Sequence, residues 1–232
     1  MIQIQAVGII HTPFSQKFGI PRQGLGLSIA KGRIKFEPTL DAKLACEGLL
    51  AFSHCWLLFQ FHEHADKSWS ERVRPPRLGG NQKIGVFATR SSFRPNGIGM
   101  SVVKVLGFED NCLEVEGVDL LTGTPIIDIK PYIAYSDCIN DADSAYAKDA
   151  PSASLEVKLE PSAEALLRIA AAEFADIKAL VFNVISQDPR PAYKQHKRDE
   201  KAYSVRLYDY DISFSVVNTL ATVHKVEKYT DK

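Results

Sequence analysis

Hydrophobic positions in the first 135 residues fall into short runs that are rich in β-branched and aromatic side chains. The runs are separated by Gly, Pro and Asn, and they read IQIQAVGII, GLLAFSHCWLLFQFH, KIGVFAT, SVVKVLGF, CLEVEGVDLL and PIIDIKPYIAY. Short apolar runs between turn-forming residues are typical of β-strands, and no amphipathic helix of useful length interrupts them between positions 72 and 135. The pattern therefore predicts a mainly β N-terminal domain, which we assign to residues 1–150.

The pattern changes after position 144, where Ala, Ser and Asp dominate a connecting segment. The stretch PSAEALLRIAAAEFADIKALVFNVISQ, 161–187, then predicts two helices, with Ser162 as a candidate N-cap of the first. Two later stretches, AYSVRLYDYDISFSVV and LATVHKVEK, alternate between apolar and polar residues as strands do. We therefore predict a small α+β C-terminal domain, residues 151–232.

The composition indicates a globular protein but does not indicate what it binds. The chain has 232 residues, 45% of them hydrophobic, which is ample for a buried core. Basic and acidic residues cancel at 28 each, so only the distribution of charge bears on nucleic-acid binding. The four cysteines form no CxxC pair and suggest neither a metal site nor a disulfide framework. With neither a signal-peptide pattern nor a long apolar span, the sequence predicts a cytoplasmic protein without a membrane segment.

Positive charge concentrates between positions 67 and 104, where the sequence has eight Lys or Arg residues and one acid, Glu71. One interpretation is a solvated loop surface. The other is an anion site, because RPPRLGG stiffens its arginines, Arg90 ends a predicted strand and Arg94 lies at a turn. Arginines on rigid backbone suit bidentate binding of carboxylate or phosphate, so an anion is expected near this segment.

A second dense patch is LTGTPIIDIKPY, 121–132, a turn that leads into a predicted strand. Residues two apart share a face of a strand, which aligns Asp128, Lys130 and Tyr132. This row is either a solvated strand edge or part of a site. Neither a P-loop nor a Rossmann glycine motif occurs, so the common nucleotide-binding folds are not indicated.

The stretch FHEH, 61–64, invites a metal interpretation because two histidines flank Glu63. The spacing differs from the HExxH of helical zinc sites, and no third ligand is evident nearby. We therefore predict no metal ion.

Six motifs in order resemble one family over nearly the whole chain. They are PRQ (21–23), FSHCWLLFQFH (52–62), RPPRLGGN (74–81), GVFATRSSFRPNGIGMS (85–101), GTPIIDIKPY (123–132) and DPRPAY (188–193). Together they look like the bacterial tRNA threonylcarbamoyladenosine N6-methyltransferases, the TrmO or TsaA-like family. The resemblance implies a β-barrel-like, non-Rossmann catalytic domain with S-adenosylmethionine as methyl donor. It also implies a homodimer with the donor site near its interface, and a C-terminal domain that helps to hold tRNA.

The resemblance also implies which residues form the donor pocket. They are Pro21, Arg22, Gln23, His62, Glu63, Arg90, Met100, Thr122, Gly123, Thr124 and Pro125. The chain departs from the usual family pattern at Gly97, where RPNPIG is common, at Thr122, often Asp, and at Glu63, often Gln. We expect these departures to tune donor binding.

The acceptor that the family implies is N6 of an adenosine that already bears a threonylcarbamoyl group, next to the anticodon on its 3′ side. This nitrogen is urea-like and must lose a proton, so a general base is useful. Asp128 is the candidate base, and Lys130, Tyr132 or Arg94 is the candidate partner of the threonyl carboxylate. The catalytic prediction is thus Asp128 with Lys130.

The basic stretch DPRPAYKQHKR, 188–198, fits a tRNA contact or, alternatively, a capped helix exit with solvated charges. The residues predicted to bind tRNA are Arg94, Asp188, Arg190, Tyr193 and Lys194. Two other functions stay open at this stage: a non-catalytic RNA-binding module and a small-ligand sensor, each with the same barrel.

Overall fold

The computed structural model describes residues 3–64, 68–150, 153–191, 194 and 199–230, and strands dominate its first 131 positions. The strands are β1 (Gly8–His11), β2 (Lys31–Phe36), β3 (His54–Gln60), β4 (Arg72–Val73), β5 (Ile84–Gly85), β6 (Ile98–Glu109), β7 (Cys112–Glu116), β8 (Thr124–Pro131), β9 (Glu156–Leu159), β10 (Asp199–Leu207), β11 (Tyr210–Val217) and β12 (Leu220–Lys228). The helices are α1 (Ala42–Ala45), α2 (Ala134–Asp137), α3 (Pro161–Ala170) and α4 (Ile177–Ser186). Several one-turn 3-10 helices occur in the loops.

Six strands close into an antiparallel barrel in the order β1-β2-β7-β6-β3-β8, with β8 pairing back onto β1. Alternate residues point inward, as β2 shows with its exposed and buried positions in strict alternation. Ile34, Leu57 and Val103 are fully buried in the core. Closure leaves no free sheet edge, which removes a common source of aggregation. The predicted mainly β, barrel-like N-terminal part is confirmed.

The C-terminal part is a four-stranded sheet in the order β10-β11-β12-β9, in which β9 and β12 are parallel. The residues of β11 alternate between buried and partly exposed, and α3 packs beside β12. The predicted helices and strands are therefore confirmed. The predicted cap is wrong, because the N-cap residue is Glu160 and Ser162 lies inside α3 behind Pro161. A proline in the first turn needs no backbone N–H, so it marks the start of this helix.

The two parts enclose a segment of the chain, 13–29, that includes the PRQ motif. The backbone N–H of Tyr208 donates to Pro13 at 2.7 Å, and the side chains of Asn183 and Gln187 donate to the carbonyl oxygen of Leu27 at 3.0 and 2.7 Å. At Gly19 (φ +96°), an added Cβ would lie 2.3 Å from a methyl group of Val205, so only glycine fits. Helix α4 and the C-terminal sheet thus fix the position of the PRQ loop. None of the described helices has the length and apolar character needed to cross a membrane.

Candidate functional site

Arg90 connects two of the predicted donor motifs. It follows the 3-10 helix Val86–Ala88, and its Nη1 donates to Oε1 of Gln23 in the PRQ loop at 2.5 Å. The Arg90 side chain is exposed, and this is the one hydrogen bond it makes within the described part of the chain. A guanidinium carries five N–H donors, so most of those on Arg90 are left for a ligand carboxylate. The site therefore fits the carboxylate of the methyl donor.

Arg94 shapes the loop that carries Arg90. Its Nη1 donates to the carbonyl oxygens of Thr89 and Ser91, at 3.2 Å each, which lie on either side of Arg90. This side chain is half-buried, and its guanidinium holds backbone in place. Arg94 thus positions the backbone on either side of Arg90, while its contact with tRNA stays a prediction.

Gly97 gives the same loop a turn that the usual family residue does not allow. Its φ of +59° lies in the left-handed region, and its N–H donates to the carbonyl oxygen of Arg94 at 3.2 Å. Proline holds φ near −65° and has no N–H, so it fits neither property. The loop of this chain is therefore built differently from one that reads RPNPIG.

Gly99 lets strand β6 pass close to two aromatic rings. An added Cβ would lie 2.9 Å from the ring of Phe61 and closer still to that of Phe59, which is too short for any side chain. The two rings meet edge to face, with centroids 5.3 Å apart. This packing fixes the start of β6 and leaves the next residue, Met100, 49% exposed on the outer surface of the barrel.

Asp119 is a site residue that sequence reasoning missed. Its carboxylate accepts a 2.7 Å hydrogen bond from Oγ of Ser101, the residue after Met100. Burial raises the pKa of Asp119, against the lowering effects of the Ser101 hydrogen bond, of the Arg90 charge and of the Gly24 backbone. Arg90 and Ser101 belong to the 85–101 motif and Gly24 follows the PRQ motif, so Asp119 lies where these two motifs meet. The signal in the sequence was an acid within the apolar run GVDLL, just before the TGTP turn.

The TGTP turn is anchored to the N-terminal segment. Thr122 donates its N–H to Phe14 at 2.8 Å, and its hydroxyl accepts the N–H of Thr12 at 3.2 Å. Gly123 has φ +81° and donates to Ile10 at 2.9 Å. The hydroxyl of Thr124 is buried and donates to Leu121 at 2.6 Å. The turn is therefore rigid, and Pro125 then follows as the second residue of β8.

His62 and Glu63 lie in a one-turn helix directly after β3. The N–H of Phe61 donates to Gly97 at 2.7 Å, which ties this turn to the arginine loop. Glu63 forms an ion pair with Lys17 at 3.5 Å, and both side chains are about half exposed. Across the residues that the structure describes, no three His, Cys, Asp or Glu side chains gather closely enough to hold a metal ion.

Asp128 and Lys130 form an ion pair of 2.8 Å on the outer face of β8, and both are partly exposed. Leu58 pairs with Asp128 on one side and with Met100 on the other. Since neighbouring strands lie about 4.8 Å apart, Asp128 is roughly 10 Å from Met100 along this row. The predicted catalytic pair therefore shares one surface with a predicted donor residue.

Arg190 and Asp188 are buried, at 2% and 4% exposure. The guanidinium binds the carboxylate with two hydrogen bonds of 2.7 and 2.8 Å, in the bidentate geometry that arginine favours. These two side chains form a structural pair beneath the surface, and their part in tRNA binding stays a prediction. Lys194 is half-buried, and its backbone N–H donates to the carbonyl oxygen of Pro191 at 2.8 Å. Tyr193 lies outside the described residues.

Comparison with known proteins gives a consistent result across the chain. Residues 9–138 match the family described as the tRNA-methyltransferase O N-terminal domain, and residues 152–229 match the TrmO C-terminal domain. A tRNA (adenine(37)-N6)-methyltransferase of Escherichia coli is 38% identical over 229 residues, 97% of each chain. A putative S-adenosylmethionine-dependent methyltransferase of Pseudomonas aeruginosa is 43% identical over 210 residues, 90% of each chain. The crystal structure of TrmO from Pseudomonas aeruginosa superimposes with a TM-score of 0.83 at 34% identity, covering 98% of each chain.

Proposed function

This chain belongs to the tRNA-methyltransferase O family and is an S-adenosylmethionine-dependent tRNA methyltransferase, and we propose that its acceptor is N6 of a threonylcarbamoyladenosine. That nucleoside lies next to the anticodon on its 3′ side, and the product is N6-methyl-threonylcarbamoyladenosine. The observation that carries the proposed acceptor is the exposed ion pair of Asp128 and Lys130, on one surface with Met100. The donor is supported by Arg90, which bonds Gln23 and lies near the buried carboxylate of Asp119. Cation and carboxylate together suit a zwitterionic methyl donor.

S-adenosylmethionine supplies a methyl group on a sulfonium, which reacts by in-line displacement when the acceptor is aligned. Arg90 is the residue we assign to its carboxylate, since most of its N–H donors are free within the described chain. Met100, Thr122 and the PRQ loop contribute the remaining surface of the pocket. Alignment is the main task of these residues, and the rigid anchoring of Thr122 and Gly123 serves it.

The acceptor nitrogen must lose a proton, and the exposed pair of Asp128 and Lys130 suits this step. A threonyl carboxylate that binds Lys130 takes the place of Asp128 in the 2.8 Å ion pair. The carboxylate of Asp128 is then released to accept the N6 proton. Because the release requires the threonyl group, this exchange favours the modified adenosine over the unmodified one.

The assembly we propose is a homodimer whose interface borders the donor pocket. Met100, Leu58 and Val102 form an apolar patch on the outer face of β3 and β6, in the strand that also carries Ser101. A two-fold dimer is the commonest closed assembly of soluble proteins. Light scattering at micromolar concentration checks this: a monomer with full activity would contradict it. We further place the protein in the cytoplasm, where its tRNA substrate lies.

The test of the acceptor uses purified protein and S-adenosylmethionine with two tRNA preparations, one bearing threonylcarbamoyladenosine and one an unmodified transcript. We expect nucleoside mass spectrometry to find the methylated product only with the first. Equal methylation of both tRNAs means that the proposed acceptor is wrong. Methylation of neither, with normal donor binding by calorimetry, favours a non-catalytic RNA-binding module. The Arg90→Ala variant serves as the control for donor-dependent product.

A further inference from the structure

A cavity of about 520 Å³ lies between the PRQ loop and the C-terminal part, and it shares only Pro21 and Arg22 with the residues assigned to the donor pocket. One wall is the segment 17–22, which runs into the PRQ motif. The opposite wall comes from Ser154, from Gln187 at the end of α4, and from Thr219 at the tip of the hairpin between β11 and β12. Its size lies within the range of pockets that enclose small organic groups.

The walls combine apolar side chains with several polar groups. Phe18, Ile20 and Val184 supply the apolar surface. Within the described chain, the side-chain hydroxyls of Ser154 and Thr219 make no hydrogen bond, although each could bond a base edge. A flat, apolar group with polar edges, such as a nucleobase, fits this surface, since proteins bind single-stranded bases by apolar contact and edge hydrogen bonds.

The charge at the rim is positive. Arg22 is exposed and forms no hydrogen bond or ion pair with any residue in the described ranges, and Lys17 lies at the same wall. Of the nearby acids, Asp188 is bound by Arg190, and Glu63 is bound by Lys17. An unpaired arginine at the mouth of a partly apolar cavity suits a phosphate attached to the enclosed base.

The cavity also lies next to the donor pocket. It shares Pro21 and Arg22 with the PRQ motif, while Gln23, the next residue, binds Arg90. On the same wall, Lys17 forms an ion pair with Glu63, beside His62. A group in the cavity is therefore a short distance from the methyl donor and is held by both parts of the protein.

We propose that this cavity takes a nucleotide of the tRNA anticodon loop that neighbours the methylated adenosine, with its base inside and its phosphate on Arg22. The proposal rests on the proposed function, since it assumes a tRNA substrate. It gives the C-terminal part a specific task, which is to complete a nucleotide site whose other half belongs to the donor loop. Occupancy then fixes the register of the anticodon loop relative to the donor.

The test fills the cavity without changing charge. Thr219→Trp places an indole in it from an exposed hairpin position, and Val217→Trp is the matched control on the same hairpin, 56% exposed and outside the cavity. For each protein we would measure tRNA affinity by fluorescence anisotropy, S-adenosylmethionine affinity by calorimetry, and methylation kinetics. We expect Thr219→Trp to weaken tRNA binding and raise its KM about ten-fold, with donor affinity unchanged, while Val217→Trp matches the wild type.

Two results would overturn the inference. Equal tRNA affinity for Thr219→Trp and Val217→Trp means that no nucleotide occupies the cavity. Loss of donor affinity in Thr219→Trp alone means that the cavity belongs to the donor. Circular dichroism of both variants checks the fold, and if Thr219→Trp is misfolded, Ser154→Phe on the same wall replaces it. If the wild type methylates no tRNA, the proposed acceptor fails, but the anisotropy comparison still decides the cavity.

Discussion

Arg90 and Arg190 occupy similar sequence contexts in the two parts of the molecule, and the structure uses them in opposite ways. Each lies within a few residues of a proline, in RSSFRPN and in DPRPAY. Arg90 is exposed and bonds one neutral amide, Gln23. Arg190 is 2% exposed and binds the carboxylate of Asp188 with two hydrogen bonds. The difference is the nearest acid: an arginine with a carboxylate two residues away becomes structural, and one without it stays available to a ligand.

The largest effect that this comparison predicts is on folding. Arg190→Met removes two hydrogen bonds from the buried carboxylate of Asp188, and breaking a buried pair costs up to about 3–5 kcal/mol of unfolding free energy. Urea denaturation followed by circular dichroism measures it. The S-adenosylmethionine affinity of the folded protein should not change, because Arg190 binds Asp188 and is not assigned to the donor pocket.

The double variant Asp188→Leu with Arg190→Met is the control for that prediction. Replacing both charges with apolar groups removes the buried carboxylate that has lost Arg190, so most of the lost stability should return. If the single Arg190→Met variant is as stable as the wild type, the pair of Asp188 and Arg190 contributes nothing to the unfolding free energy. If such a stable variant binds tRNA more weakly than the wild type, the prediction that Arg190 contacts tRNA is supported.

The converse prediction concerns Arg90. Arg90→Ala should weaken S-adenosylmethionine binding by about 1–3 kcal/mol, the cost of a lost charge-assisted hydrogen bond. Unfolding free energy should change by no more than about 0.5 kcal/mol, because the side chain is exposed. Calorimetry measures the first and urea denaturation the second. Unchanged donor affinity would remove Arg90 from the pocket.

The sequence predicted the elements whose hydrophobic pattern is periodic, and it did not predict contacts between residues that are distant along the chain. Alternation and turn residues predicted the strands of both parts, and the helix pair was predicted from its apolar spacing. The N-cap at Ser162 was wrong because Pro161 starts the helix two residues earlier than that cap implies, behind the N-cap Glu160. Asp119 was missed because its partners Ser101 and Arg90 are 18 and 29 positions away, and the contact with Ser101 depends on the register in which β6 pairs with β7. Burial of Arg190 likewise depends on packing that local sequence does not encode.

A third prediction uses pH to test the surroundings of Arg90. Burial raises the pKa of Asp119 in the folded protein. A raised carboxyl pKa means that the folded state holds the proton more tightly, so stability is lost as pH rises from the unfolded pKa, about 3.9, through the folded one. Asp119→Asn keeps the acceptor for Ser101 but does not titrate. Its stability relative to the wild type should therefore rise over that pH range and then level off.

The rise in this stability difference from its low-pH value to the plateau gives the pKa difference, since one pKa unit corresponds to about 1.4 kcal/mol. Urea denaturation of both proteins at a series of pH values provides the data. A stability difference that does not vary with pH would mean that Asp119 has the same pKa folded and unfolded. The Ser101→Ala variant is the companion, because it removes the hydrogen bond that lowers the pKa and should enlarge the plateau.

The smallest effect on stability is expected at Lys130. Unlike Arg190 and Arg90, this cation forms an ion pair and is also exposed. Lys130 binds Asp128 at 2.8 Å while 62% of its side chain remains exposed, and such surface pairs contribute about 0–1 kcal/mol. Lys130→Ala should therefore unfold within about 1 kcal/mol of the wild type. Its effect should appear instead in selectivity, as a smaller ratio of kcat/KM between threonylcarbamoyl-bearing tRNA and unmodified transcript. Lys158→Ala, an exposed lysine in the C-terminal sheet, is the control that should leave the ratio unchanged. If Lys130→Ala keeps the wild-type ratio, the ion pair with Asp128 is a surface contact only, and the threonyl carboxylate binds elsewhere.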